Sequence, residues 1–173
     1  MLVFTSFDIC AAAFPGVEPG PHERRWAQFL VDSGAVLPEP GTEHAGRGRQ
    51  RLFSGDELFI AVALRAFGQS KLPIELLTNI AKAMREGEKA PLKNQKFRTY
   101  VDQAIAGKCD LYMIFDPSRI VGGSLDVLAN PEPWEKEKFF DDFANNKSVS
   151  NSLKTCVYMT PWLVRLQGRL TLS

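Results

Sequence analysis

The chain has 173 residues, 45% of them apolar and 24% charged, with a formal net charge of +1. That length and composition suit one medium domain or two small ones with a true core, and exclude a disordered or fibrous chain. The near-neutral balance also excludes recognition by bulk charge, so any polyanion must be met by a local basic patch.

Cysteine usage narrows the class further. Cys10, Cys109 and Cys156 are odd in number and widely spaced, and the two histidines are His22 and His44. This pattern is neither a zinc module nor a disulfide framework. It implies no metal and no cofactor, and it fits a reducing cytoplasm. A strand pairing that set Cys109 beside Cys156 would make a thiol sensor, the alternative being two inert buried thiols. No apolar run reaches the length of a bilayer span. The stretch from Met1 to Phe14 carries Asp8 and lacks the basic start of a secretory signal. The expectation is a cytoplasmic protein with no membrane contact.

In chain order, Thr5 or Ser6 can cap a short helix through Phe14, with Phe7, Cys10, Ala11 and Phe14 at helical spacing. Pro15 to Pro21, with two glycines and three prolines among these seven residues, is a turn. A second helix follows from His22 to about Ser33. Trp26, Phe29, Leu30 and Ser33 lie along one side, Arg24, Arg25 and Gln28 point elsewhere, and Gly34 is the stop. Ala35 to Leu37 is short and extended, and Pro38 to Gly46 is a loop. The chain then returns through Arg47, Arg49 and Arg51, which project from one face of an extended ribbon rooted by Leu52 and Phe53. The two extended pieces make a hairpin with a loose tip.

Ser54 opens a strongly helical run in which Leu58, Ile60, Ala61, Leu64 and Phe67 form a broad apolar face ended by Gly68. Pro73 starts a further helix with Ile74, Leu77, Ile80, Ala81 and Met84 inward. Glu86 to Lys96 is charged, contains Pro91, and reads as a hinge. Phe97 to Ala106 is helical, and Asp110 to Phe115 is an aromatic-rich buried strand. Val121 to Leu128 and Leu153 to Met159 are further strand candidates. Pro133 to Ala144 and the stripe Leu163, Leu166 and Leu170 are helical.

Residues 4–86 therefore read as helix, turn, helix, wing, helix, helix. This order resembles the DNA-binding domain of MerR-like transcription regulators. The matching residues are Phe4-Thr5, Ile9 to Ala11, Gly16-Val17, Gly34 to Pro38, Arg51 to Phe53, Glu57-Leu58 with Ile60, Phe67-Gly68, and Leu72-Pro73 with Leu76. The chain departs from the family at Gln28, where the family usually carries the arginine of an Arg-aromatic-aromatic sequence. Here Arg24, Arg25 and Trp26 lie about one turn earlier. The resemblance implies a winged helix-turn-helix that binds double-stranded DNA as a transcription regulator, usually as a dimer.

The residue chemistry leads the same way. A helix starting near Pro21 presents His22, Arg24, Arg25 and Gln28 to a major groove, where arginine can pair with guanine and glutamine with adenine. Its N-terminus also favours a phosphate. Arg47, Arg49 and Arg51 would hold the flanking backbone without reading sequence.

The expected fold is mainly α with some β. Residues 1–87 form the winged helix-turn-helix of four helices, 88–107 a connecting segment, and 108–173 a small mixed α/β domain. That last domain has no sustained heptads. It would serve as a homodimer interface, or as a pocket for a small-molecule effector lined by Tyr112, Phe115, Trp134 and Trp162. Two other functions remain open: a winged-helix module that binds protein, and a metal-dependent enzyme built on Asp110 and Asp116, for which no third carboxylate, histidine or phosphate loop stands at a supporting spacing. The expectation is accordingly a non-enzyme.

Overall fold

The computed structural model describes residues 3–43, 50–69, 71–86, 90–116, 124–130 and 155–164. Across them the protein is a mainly helical α+β fold. It divides into two compact units, the first running to Lys82 and the second starting at Ala83, and each carries its own antiparallel sheet.

In the first unit, strand β1 (Val3–Thr5) runs straight into helix α1 (Ser6–Ala13). Thr5 is the cap. Its hydroxyl accepts the Asp8 N–H at 3.3 Å, and the Asp8 carboxylate accepts the Thr5 N–H at 2.7 Å, closing a capping box. Helix α1 packs against both α2 (Pro21–Asp32) and α3 (Gly55–Gly68). Every residue from Ile9 to Phe14 is buried, whereas Phe7, expected on the inner face, is 53% exposed. The alanines explain the shift, because small side chains let two helices close over most of the surface of α1.

Helix α3 is buried without a break from Glu57 to Leu64, and again at Ala66 and Phe67. Its apolar residues run all round rather than along one face, as a central helix requires, and α1, β1 and strand β2 (Leu52–Ser54) surround it. Ser54 caps it by accepting the Glu57 N–H. Helix α4 (Ile74–Arg85), which carries the boundary between the two units, buries Leu77, Ile80, Ala81 and Met84, as their spacing predicts.

The hairpin expected between residues 35–37 and the arginine ribbon is not built that way. After α2, Gly34 takes φ +73°, and the Ala35 and Val36 amides both donate to the Leu30 carbonyl. The Leu37 amide donates to the Glu57 carboxylate at 2.9 Å. These three donors are committed to α2 and α3, so they are not available to a strand ladder. Strand β2 pairs instead with β1, in the register Val3↔Ser54, Phe4↔Phe53, Thr5↔Leu52. The returning loop touches it through the Glu39 amide, which donates to the Leu52 carbonyl at 2.7 Å.

In the second unit, a 3-10 turn (Pro91–Lys93) leads into helix α5 (Gln95–Ile105), capped by Asn94. The centre of the charged stretch read as a hinge is packed, with Ala90, Pro91 and Leu92 buried. The Arg98 guanidinium donates twice to the Leu92 carbonyl, at 3.2 and 3.0 Å. Strand β3 (Asp110–Asp116) lies between β4 (Ser124–Asn130) and β5 (Thr155–Tyr158), antiparallel to both. Asp110 to Phe115 are all buried, matching the strand predicted from that run, and α5 packs on β3.

Ile114 pairs with Cys156, so Cys109 and Cys156 are five residues out of register, about 17 Å apart along the strand. The register does not set the two residues opposite one another. The helix expected over 133–144 and the positions of Leu166 and Leu170 lie outside the described residues.

Candidate nucleic-acid interface

The site rests on how α2 begins. Gly20 is the N-cap and Pro21 occupies the first helical position, where a missing N–H costs nothing. Glu23, two residues on, reaches back so that its carboxylate accepts the Gly20 amide at 3.0 Å. Hydrogen bonding from its own backbone amide, with help from His22 and the Gly20 amide, holds the Glu23 carboxyl below its usual range. The N-terminus of α2 thus already holds an anion, Glu23, where the sequence suggested room for a phosphate.

Helix α2 buries Ala27 and Leu30 against its own unit, and the Cys10 thiol donates to the Glu23 carbonyl at 3.5 Å. Burial pushes the Cys10 thiol up, as it does Cys109. Trp26 sits at the margin, edge-on to Phe14 with ring centroids 5.1 Å apart. Phe14 also meets the His22 ring edge-on and carries the Arg65 guanidinium 4.4 Å above its face. Phe29 does not join this side. It is 50% exposed, because the inner face of α2 is centred on the small Ala27 rather than on the bulkier aromatics.

The outer face is where the sequence placed base contacts. His22, Arg24, Arg25 and Gln28 are all exposed, the His22 side chain by 81%. They span about 9 Å of helix rise, enough to face roughly three base pairs. Arg24 donates through Nε to the Pro19 carbonyl, and Gln28 donates to the Asp32 carboxylate one turn on. Arg51 leans back to α2: Nε donates to the Glu43 carbonyl at 3.1 Å and Nη1 stands 3.8 Å from Asp32. Arg47, Arg49 and His44 lie outside the described residues.

Two contributors, Arg65 and Asp32, and the contact made by Glu57 are not expected from the sequence. The spacing of Gln28 and Asp32, four apart on a helix, was a visible signal. The reach of Arg65 to Phe14 and of Glu57 to Leu37 connects distant segments and has no local signature.

The second unit presents different chemistry. Asp110 and Asp116 stand at opposite ends of β3, about 20 Å apart along the strand. The buried Asp110 carboxylate accepts the Tyr158 hydroxyl, and the Tyr158 ring stacks on Tyr112 at 5.0 Å. Tyr112 and Phe115 are core residues, Trp162 is half-buried, and Trp134 lies outside the described residues. Among the described residues no group of three or more metal-ligating side chains comes together, and no helix is long and apolar enough to cross a membrane. Comparison with protein-family models and with curated proteins finds no match.

Proposed function

We propose that the first unit binds double-stranded DNA as the DNA-binding part of a MerR-like transcription regulator acting in the cytoplasm. Helix α2 enters the major groove, with His22, Arg24, Arg25 and Gln28 toward base edges. Arg47, Arg49 and Arg51 hold the phosphate backbone. The observation that carries this reading is the exposure of all four candidate base-contacting residues on α2, a helix anchored from behind by Ala27, Leu30 and the Phe14–Trp26 pair, with His22 at the edge of the exposed row beside Phe14. Two copies act together, the second unit supplying the dimer contact or an effector pocket.

A duplex titration at two salt concentrations tests the reading. The wild type is expected to bind, more weakly at higher salt, and a triple Arg47→Ala, Arg49→Ala, Arg51→Ala variant is expected to lose affinity and salt dependence together. Unchanged binding by that variant, or no binding by the wild type, overturns it. One observation favours a protein partner instead: Phe29 is exposed among the polar residues of α2, as an interface anchor would be. That reading expects the arginine variant to keep full function.

A further inference from the structure

Asp32 is the last residue of α2, and a carboxylate there faces the negative end of the helix dipole. Helix physics therefore disfavours it, but its contacts give it a role. A single oxygen, Oδ1, accepts the Gln28 carboxamide N–H and stands 3.8 Å from Arg51 Nη1. Gln28 belongs to the proposed base-reading row and Arg51 to the proposed phosphate-holding ribbon. One exposed acid, with 58% of its side chain open to solvent, thus engages a member of each set.

We propose that Asp32 is a positioning residue that stands in for a DNA phosphate in the free protein. This inference rests on the DNA-binding reading above. The carboxylate keeps the Arg51 guanidinium beside the C-terminal end of α2 and keeps the Gln28 amide turned along the helix. An exposed pair at this separation is weak, whereas a phosphate offers arginine shorter, charge-assisted and bidentate bonds. On a duplex, the phosphate takes Arg51 from Asp32, and the repulsion between phosphate and carboxylate turns Asp32 away and frees Gln28 for a base edge. Unbound, the same carboxylate screens Arg51 from anions encountered at random, so Asp32 lowers affinity for DNA backbone.

The probe is a mixed-sequence duplex of about 30 base pairs, since backbone contacts dominate binding to such DNA. Asp32→Asn is expected to bind it about fivefold more tightly than wild type at low salt, with the plot of log affinity against log salt steeper by up to about one unit. Asp32→Glu keeps the carboxylate and is expected to stay near wild type in both. In an Arg51→Ala background, Asp32→Asn is expected to gain little, because the guanidinium it would release is gone. Far-UV circular dichroism checks that each variant keeps its helices.

An equal gain with and without Arg51 would mean plain removal of surface charge and overturns the inference, as does no gain at all with wild-type binding intact. A wild-type protein that fails to bind the duplex at low salt overturns the DNA-binding reading itself, and this inference with it.

Discussion

Two carboxylates, Glu57 and Glu23, fix the two ends of α2, for different reasons. Glu57 is buried at the third position of α3 and accepts the Leu37 amide, fixing the exit from α2 to the central helix. Replacing it by alanine strands that amide, and the expected cost is about 1–3 kcal/mol, read as a shift in the denaturant midpoint. Glu57→Gln keeps an acceptor and is expected to cost less. Glu23 acts through its ionised carboxylate, which accepts hydrogen bonds from its own backbone amide, His22 and the Gly20 amide. Its folded-state carboxyl lies below its ordinary value of 4.5, so the unfolded chain takes up its proton first as pH falls. Glu23 therefore contributes stability above that pH and loses the contribution as pH drops through the lower folded value. Glu23→Gln should flatten the acid side of the melting-temperature profile, and an unchanged profile would show the helix start does not depend on that charge.

At the scale of elements, what was legible was local. The Thr5 cap, the Gly34 stop, the dense apolar run of α3 and the buried strand β3 all follow from neighbours within a few residues, where periodicity and capping act. What was not legible depended on distant partners. The pairing of β2 with β1 joins residues about fifty apart, and it prevails because the amides of residues 35–37 are already engaged. The inner face of α2 is not legible in the sequence because Trp26 and Phe29 outweigh Ala27 in any hydrophobic pattern, whereas Ala27 is the buried one and Phe29 is half exposed. Of the candidate site, the exposed row on α2 could be read from sequence, but its tie to Arg51 through Asp32 could not. The central position of α3 gives a prediction at this scale. Ile60 is fully buried, and Ile60→Ala should destabilise the first unit by about 2–5 kcal/mol, seen as a lower thermal midpoint.

For the whole molecule, charge sets the limit. The net charge is +1, and on α2 the arginines Arg24 and Arg25 are balanced by Glu23 and Asp32. On the proposed DNA-binding reading, backbone attraction would depend on the three ribbon arginines, with a salt slope of only about −3 per copy and weak binding by one protomer. Two copies on one duplex would double the slope to about −6 and convert the second encounter into an intramolecular one. A recognition helix must meet its groove on the same side of the DNA in both half-sites, which places their centres a whole number of helical turns apart. Duplexes selected from a random pool should therefore carry an inverted repeat bound by two protomers, as read from sedimentation of the complex. Inserting about five base pairs, half a turn, between the half-sites should reduce affinity at least tenfold and return the slope toward that of a single copy. Selected sites without symmetry, or an inserted duplex bound as well as the original, would show that each protomer binds alone and that the second unit does not join two copies on DNA.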